Sequence, residues 1–358
     1  MKLPGLIDAH VHIREPGESY KEDWESGTKA ALAGGFTAIL AMPNTKPPIT
    51  GLSELSMALE AAQCKARCDY AQFVAAGPGN AYEVARLAPQ AAGLKFYLDQ
   101  TYGPLRLDVI SIWQEHFQQW PRQYPIVAHA EGRTMAAVIL FAALFERAVH
   151  IAHVSLREEI LLIRAAKEKG IQVTCEVTPH HLFLTQEDIP QLGTGRSEVR
   201  PRLATKSDQQ ALWDNLDIID CIATDHAPHT LDDKDGSNPP PGFPGLETAL
   251  PLLLTAVREG RLTLEDVISR MFYNPQRIFN LPQQKETWIE VDPDFAWEIK
   301  ASETYTRCGW TPFEGWKVHG WVNRVVLHGT DVYQDGEVLA HPGFGKNMRD
   351  QHLGFSSY

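Results

Sequence analysis

The chain has 358 residues, 44% of them hydrophobic and 22% charged, which are the proportions of an ordinary globular protein and exclude extended disorder and coiled coil. With 33 basic and 45 acidic residues the net charge is −12, so the composition lacks the excess of basic residues that binds nucleic acid or an anionic membrane. No apolar stretch approaches the roughly 20 residues that span a bilayer, and we expect no secretory signal. Five scattered cysteines indicate reduced thiols and a cytoplasmic protein.

Short apolar runs alternate with amphipathic helical patterns through most of the chain. The predicted strands cover residues 6–13, 37–43, 69–76, 93–98, 125–130, 150–155, 172–178 and 221–227. The predicted helices cover residues 24–33, 52–66, 81–87, 107–119, 134–147, 157–169, 207–215 and 246–257. Strand–helix units in series favour a (β/α)8 TIM barrel, because each parallel strand needs a crossover helix. A doubly wound sheet is the alternative, but no GxGxxG motif follows the first strand.

Three segments depart from this alternation. Residues 231–245 contain Asn-Pro-Pro-Pro-Gly-Phe-Pro-Gly, which predicts a loop with neither helix nor central strand, and residues 178–203 form a second long connection. After about residue 283, short β-like runs such as 288–291 and 322–327 alternate with Gly-rich turns. We therefore predict a barrel over residues 1–282 and a small β-rich C-terminal appendage over residues 283–358, packed on the barrel.

Polar residues gather at the ends of the predicted strands. On the first strand, Asp8, His10 and His12 should share one face, opposite Ala9 and Val11, because side chains alternate along a strand. Two imidazoles on one face can converge on a metal ion, although a single His-x-His pair is also compatible with unrelated histidines.

Other strands end in the same way. The fifth ends at His129, the sixth at His153, and the eighth at Asp225, followed by His229. Barrel active sites lie at the C-terminal ends of the strands, so these residues should meet at one rim. Lys95, on the fourth strand, is by itself typical of a lysine that extends its ammonium group to solvent.

With these residues in view, the chain resembles the metal-dependent amidohydrolases and, within them, the dihydroorotases. The motifs are Asp-Ala-His-Val-His-Ile-Arg-Glu-Pro-Gly from residue 8, Ala-Met-Pro-Asn-Thr from 41, Gly-Leu-Lys-Phe-Tyr from 93, Ala-His-Ala-Glu from 128 and Asp-His-Ala-Pro-His from 225. Thr-Cys-Glu-Val-Thr-Pro-His-His from residue 174 is similar to the dihydroorotase domain of the multifunctional (CAD-type) pyrimidine-synthesis proteins of animals. The resemblance implies a homodimer and, since the chain starts almost at the first barrel strand, a domain of a longer polypeptide.

The resemblance also implies a pair of zinc ions bridged by a carboxylated Lys95. One zinc would be held by His10, His12, Lys95 and Asp225, and the other by His129, His153 and the same Lys95. A hydroxide between the metals would attack the ring carbonyl, and Asp225 would be the catalytic proton acceptor. The implied reaction is the reversible cyclisation of N-carbamoyl-L-aspartate to L-dihydroorotate in de novo pyrimidine (UMP) biosynthesis.

Substrate contacts follow from the same motifs. A guanidinium group matches a carboxylate in two parallel hydrogen bonds, which suits Arg14. The remaining residues implied in substrate binding are Asn44, Arg200, His229, the backbone near Pro241, and Thr101 and Tyr102 on a loop that would act as a lid. The resemblance to some multifunctional relatives also implies a third zinc; Glu176 and His229 would be remnants of that site, but Ala152 replaces the required cysteine and argues against it.

Two kinds of alternative remain open. Hydantoinase, dihydropyrimidinase and allantoinase share the metal core and open cyclic amides. Arg14 argues against the first two, whose neutral substrates need no carboxylate clamp, but it does not exclude allantoinase. A catalytically inactive scaffold domain is the other alternative, and the complete set of metal ligands argues against it.

Overall fold

A computed structural model of the chain describes residues 1–350, and all structural statements below concern that part. The strands are β1 (Lys2–Pro4), β2 (Leu6–Val11), β3 (Phe36–Ala41), β4 (Asp69–Gln72), β5 (Val74–Ala75), β6 (Leu94–Tyr97), β7 (Ile126–His129), β8 (Val149–Ile151), β9 (Val173–Val177), β10 (Cys221–Ile222), β11 (Trp288–Glu298), β12 (Lys317–Leu327), β13 (Thr330–Gln334) and β14 (Glu337–Val338). The helices are α1 (Trp24–Ala33), α2 (Leu52–Lys65), α3 (Ala81–Leu87), α4 (Ile110–Gln119), α5 (Arg133–Leu144), α6 (Arg157–Glu168), α7 (Pro179–Phe183), α8 (Ile189–Leu192), α9 (Lys206–Asp214), α10 (Leu231–Lys234), α11 (Ala249–Arg258), α12 (Leu264–Ile268) and α13 (Asn274–Ile278).

The parallel strands β2 to β10 form the predicted barrel. Strands β2-β3-β4 pair in one sheet and β5 to β10 in another. β4 and β5 are two halves of one barrel strand, interrupted at Phe73, whose N–H donates to the Ala41 carbonyl at 2.9 Å. At the other junction the N–H of His12 donates to the carbonyl of His226 at 2.7 Å, so the first and last strands are joined. The barrel prediction is confirmed.

Apolar side chains fill the barrel and its outer layer. A cluster of small and medium residues, among them Ile7, Ala38 and Val127, lies inside the ring of strands, where Phe73 meets Phe279 edge to face at 5.9 Å. A larger cluster lies between the strands and the surrounding helices and includes the fully buried Trp24. Burial of a large apolar side chain stabilises a fold by about 1.5–3 kcal/mol, so these two layers hold the rim residues in place.

The first barrel strand does not alternate as the sequence predicts. Its pairing with β3 shifts register between Asp8 and Val11. Ala9 therefore packs inside the barrel with Ile7, whereas Val11 belongs to the outer cluster. The prediction that Ala9 and Val11 share a face was wrong, because strict alternation fails where a strand contains an irregularity.

The C-terminal residues form a separate, antiparallel sheet in the order β1-β11-β12-β13-β14. Its first strand, β1, comes from the N-terminus and pairs Lys2 with Glu290, which the sequence patterns did not indicate. Gly320 of β12 lies against α11 with φ +100°, a backbone conformation that favours glycine, and a Cβ atom there would be 3.1 Å from Leu254 Cβ.

The prediction of a loop without helix over residues 231–245 was wrong at its start. Leu231–Lys234 forms a helical turn, α10, because the Thr230 side chain accepts the N–H of Asp233 and the Asp233 carboxylate accepts the N–H of Thr230. The connection 178–203 likewise contains α7 and α8. Among the described helices, none combines the length and the apolar character that crossing a membrane requires.

Candidate metal centre

Six side chains from five barrel strands converge at the C-terminal rim. They are His10 and His12 at the end of β2, Lys95 on β6, His129 at the end of β7, His153 just after β8, and Asp225 just after β10. All six are buried. Because parallel strands end at the same edge of a barrel, residues far apart in sequence come together here.

His10, His12 and Asp225 form one compact group. Asp225 Oδ1 lies 2.9 Å from His12 Nε2 and 3.3 Å from His10 Nε2. Zinc binds nitrogen and oxygen ligands at about 2.0–2.2 Å, which separates neighbouring ligand atoms by about 3.3–3.5 Å in a tetrahedral site. The group therefore fits a metal ion with little movement, and its ligand atoms all lie within 4.8 Å of one another.

His129 and His153 form a second group beside the first. His129 Nδ1 lies 2.8 Å from His153 Nε2, and the ring of His153 is 5.3 Å from that of His10. The buried Nδ1 of His153 has no hydrogen-bond partner among the described residues. The atoms placed to share a metal ion are nevertheless His129 Nδ1 and His153 Nε2, which face each other, because the two nitrogens of an imidazole ring point in different directions.

Lys95 lies next to both groups and is fully buried, with Nζ 3.5 Å from His10 Nε2. Burial lowers the pKa of Lys95 to about 8, although the charges of Glu176 and Asp225 oppose this shift. A neutral amine is the form that reacts with carbon dioxide, so the surroundings of Lys95 suit a carbamate. The structure does not support the alternative of a lysine extending to solvent, because its amino group lies inside the barrel rim.

Further polar groups orient the histidines. His10 Nδ1 contacts the carboxylate of Glu176, and His12 Nδ1 lies 2.6 Å from Asn44 Oδ1. Such contacts on the second ring nitrogen are how proteins fix the orientation of a metal-binding histidine. Burial lowers the pKa of His12 to about 4, so its ring is neutral and able to bind a metal.

The backbone at two of the six residues is strained. His153 has φ +37° and Asp225 has φ +46°, both in a region that side chains other than glycine seldom adopt. Strain of this kind costs about 1–3 kcal/mol per residue and concentrates at functional sites. Both residues lie immediately beyond their strands, where the strain turns their side chains toward the group.

A cavity of about 340 Å³ opens above these groups. Its lining contains the implied substrate residues Arg14, Asn44, Thr101, Tyr102, Arg200 and Pro241. The Nη1 atom of Arg14 is buried without a hydrogen-bond partner among the described residues, whereas Nη2 lies 3.0 Å from His229 Nε2. A donor held in this way is suited to an anion.

The other implied substrate residues have protein partners. Asn44 Nδ2 donates to the carbonyl of Tyr102 at 3.2 Å, so Asn44 links the histidine group to the loop over the cavity. Arg200 Nη1 donates to Glu198 Oε2 at 2.8 Å. His229 Nε2 lies 3.1 Å from the Pro241 carbonyl oxygen, and burial with the nearby charges of Arg14 and Lys21 holds the pKa of His229 well below its usual range.

Two residues of this region, Tyr97 and Lys21, were not predicted from the sequence. Tyr97 is buried and lines the cavity, and its hydroxyl group has no hydrogen-bond partner among the described residues. Burial raises the pKa of Tyr97 well above its usual value, so the hydroxyl group stays protonated and remains a hydrogen-bond donor. Its position two residues after Lys95 on the same strand was a usable signal. Lys21 contacts His229 Nδ1 at 3.1 Å, and no local motif indicated that contact.

The barrel and its histidine–aspartate rim define a protein of the amidohydrolase class, and residues 1–93 match the amidohydrolase family model. The chain is 54% identical over 354 residues to multifunctional protein CAD of Squalus acanthias, covering 99% of this chain and 16% of that protein. It is 39% identical over 356 residues to the dihydroorotase of Pyrococcus furiosus, covering 95% of this chain and 83% of that enzyme. The chain belongs to the dihydroorotase family, which confirms the resemblance inferred from its motifs.

Solved structures agree with this fold. L-hydantoinase from Arthrobacter aurescens superimposes with a TM-score of 0.91 at 26% identity, covering 97% of this chain and 88% of that one. The inactive dihydroorotase-like domain of the Chaetomium thermophilum CAD-like multifunctional protein gives 0.84 at 30% identity, covering 97% and 99%. The chain thus spans about a sixth of the multifunctional relative from Squalus acanthias and nearly all of a single dihydroorotase-like domain.

Proposed function

We propose that the chain is a zinc-dependent dihydroorotase, which interconverts N-carbamoyl-L-aspartate and L-dihydroorotate in de novo pyrimidine biosynthesis. The observation that carries this proposal is the convergence of His10, His12, Lys95, His129, His153 and Asp225 at one buried rim. Identities of 39–54% to a named dihydroorotase and to a CAD protein over nearly the whole chain support it.

In this proposal a carboxylated Lys95 would contribute a ligand to each of a pair of zinc ions. His10, His12 and Asp225 would complete one zinc site, and His129 and His153 the other. Zinc in such a site lowers the pKa of water and polarises a carbonyl group. The facing nitrogens His129 Nδ1 and His153 Nε2, the spacing of Asp225 and the histidines of the first group, and the buried amine of Lys95 are the features that fit this arrangement.

The protein's own groups then have defined tasks. Arg14 binds the free carboxylate through its unpaired Nη1. Asp225 accepts the proton of the attacking water and passes it to the ring nitrogen as the amide bond breaks, and it does the reverse during ring closure. Asn44, Arg200 and Pro241 line the cavity around the substrate, with Thr101 and Tyr102 above it. His229 does not line this cavity; it is buried behind it, in contact with Arg14.

The cations around the cavity favour an anionic substrate. Arg14 and Arg200 line the cavity, and Nη1 of Arg14 has no protein partner among the described residues, whereas in the outer vestibule Lys21 and Lys46 are balanced by Glu18, Glu198 and Asp233. The proposal therefore predicts ring opening of dihydroorotate and none of hydantoin or dihydrouracil, which carry no carboxylate. Ultraviolet assays with these compounds and allantoin test it: turnover of hydantoin or allantoin in place of dihydroorotate would overturn it.

One superimposable relative, the domain from Chaetomium thermophilum, is inactive. What argues for an active enzyme here is that every proposed ligand is present and oriented toward the same rim. We also propose that no third metal binds. Glu176 contacts His10 and His150, His229 contacts Arg14 and Lys21, and Ala152 has no atom able to coordinate a metal.

We further propose that the domain acts as a homodimer in the cytoplasm within a longer polypeptide. Apolar side chains on neighbouring helices support a dimer interface: Leu140 and Leu144 of α5 are 56% and 67% exposed, and Leu161 of α6 is also exposed.

The proposed division at residues 282 and 283 is supported by the separate antiparallel sheet, which β1 joins from the N-terminus. Residues 351–358 of the proposed appendage lie outside the described residues.

A further inference from the structure

Lys21 has an unusual position for a lysine. Its side chain is buried, with the residue only 2% exposed, between the loop after β2, the loop after β6 and the loop after β10. Its ammonium group contacts Glu18 Oε1 at 3.3 Å, Tyr102 Oη at 3.1 Å and His229 Nδ1 at 3.1 Å. One residue from each loop therefore meets the same charged group.

We infer that Lys21 is a positioning residue that links the loop Asp99–Pro104 to the ring of His229. This inference rests on the proposed function, because it assigns Lys21 a task in binding the substrate. An ammonium group has three N–H donors and no acceptor. Tyr102 and His229 accept two of them, and the carboxylates of Glu18 and Asp233 lie 3.3 and 3.6 Å away as ion-pair partners, so one group fixes the loop tip and the histidine together.

The loop side of this contact is a network around one carboxylate oxygen. Tyr102 Oη donates to Glu18 Oε1 at 2.6 Å and accepts from Lys21 and from Lys46, the latter at 3.3 Å. Lys46 also donates to Glu18 Oε1 at 2.9 Å. Hydrogen bonds to charged groups contribute more than neutral ones, so the phenol hydroxyl holds the loop closed over the cavity.

The histidine side fixes a tautomer. Lys21 can only donate to Nδ1, and the Pro241 carbonyl oxygen, an acceptor, lies 3.1 Å from Nε2, so these two groups favour the tautomer with the proton on Nε2. Arg14 Nη2, 3.0 Å from the same Nε2, is also a donor. Arg14 by itself would favour the other tautomer, in which Nε2 accepts and the proton is on Nδ1, so the ammonium group of Lys21 is the group that opposes this change.

Lys46 differs from Lys21 in its exposure and in its contacts. It touches the same Glu18 and Tyr102 but has a side chain 58% exposed and makes no contact with His229. A role limited to closing the loop would be shared by both lysines. A role in orienting His229 belongs to Lys21 alone.

The experiment compares Lys21→Met, Tyr102→Phe, their double variant and Lys46→Met in the zinc-loaded protein, with Lys29→Met as a surface control. We expect Lys21→Met to lower kcat/KM about tenfold, mainly through KM, and Tyr102→Phe about threefold, with the double variant no worse than Lys21→Met because the two groups act together. Lys46→Met and Lys29→Met should stay within about threefold and twofold of the wild type, respectively. Additive losses, or a Lys21→Met variant equal to wild type, would overturn the inference.

A second measurement separates this inference from the proposed function. Nitrogen-15 spectra of the histidine rings, taken without substrate and assigned with His229→Asn, report which nitrogen of His229 carries the proton. We expect Nε2 in the wild type and in Lys46→Met, and a change of tautomer in Lys21→Met. A proton on Nδ1 in the wild type would overturn the inference even if the protein hydrolysed dihydroorotate. Should the protein lack that activity, the expected spectra would still support the contact and the proposed function alone would fail.

Discussion

Lys95 is the residue on which the proposed metal centre depends most. If its carbamate joins the two metal sites, Lys95→Ala should reduce bound zinc and abolish detectable ring opening, because alanine offers no ligand atom. Lys95→Glu should recover part of the zinc content, since a carboxylate reaches part of the way into the site. Elemental analysis and kinetics of both variants, with Lys29→Ala as control, check this. An alanine variant with full zinc and wild-type turnover would contradict the shared-ligand arrangement.

At the scale of single residues, the sequence predicts which side chains form the site better than it predicts the direction in which each side chain points. The His-x-His motif and the strand-end positions of His129, His153 and Asp225 were enough to predict a common rim. The direction of Ala9 was not predictable, because it depends on a register shift set by the neighbouring strand. The contacts of Lys21 join segments more than 80 residues apart, and no local pattern records them.

At the scale of elements, the loop Asp99–Pro104 is the most informative segment. The loop carries Thr101 into the cavity lining and is tied to the loop after β3 by the Asn44–Tyr102 hydrogen bond. We expect Thr101→Ala and Tyr102→Ala to keep the zinc content but to lower kcat/KM at least about tenfold, a loss of about 1.4 kcal/mol of transition-state stabilisation. Steady-state kinetics with zinc analysis measure this. Wild-type kinetics in both variants would show that the loop is only a connection.

The barrel elements were predictable because each combines an apolar run with clear boundaries. Helix α1 begins and ends at the predicted residues, since Asp23 caps its N-terminus and Gly34 follows its C-terminus. Short elements were not predicted where one capping side chain determines the local structure against the composition of the segment. Helix α10, for example, forms in a proline-rich segment because Thr230 caps it. β1 exists only through pairing with β11, which lies nearly 290 residues away.

At the scale of the whole molecule, Glu247 connects the barrel to the C-terminal part. Its carboxylate accepts the N–H groups of Tyr305 at 2.8 Å and Thr306 at 3.2 Å, beside a cavity of about 670 Å³ away from the metal centre. Burial, reinforced by the charge of Glu22, raises the pKa of Glu247 from 4.5 to about 8. The folded protein thus holds this proton more tightly than the unfolded chain does.

Stability should therefore be lost as the pH rises from about 5 through 8, because the folded state must give up a proton that the unfolded state has already lost. Calorimetry of the wild type and Glu247→Gln at several pH values measures the effect. The melting temperature of the wild type should fall relative to that of Glu247→Gln across this range. Parallel curves for the two proteins would contradict the raised pKa.

The proposed dimer can be tested through its exposed apolar surface. Leu144 is the most exposed leucine of α5, so Leu144→Glu should place a charge in the interface and shift the protein to monomers without changing its fold. Sedimentation velocity at several concentrations measures this, with Leu52→Glu on α2 as a control for exposure alone. A dimer of unchanged stability in Leu144→Glu would exclude this surface.

The most direct test of a dinuclear dihydroorotase is a titration of the metal-free protein with zinc, in the presence of bicarbonate, while ring opening of L-dihydroorotate is followed. The ligand set of His10, His12, Lys95, His129, His153 and Asp225 predicts that activity rises until two zinc ions are bound per chain and then stays constant. A protein that binds two zinc ions and does not open dihydroorotate, or that reaches full activity with none, would contradict the proposed function.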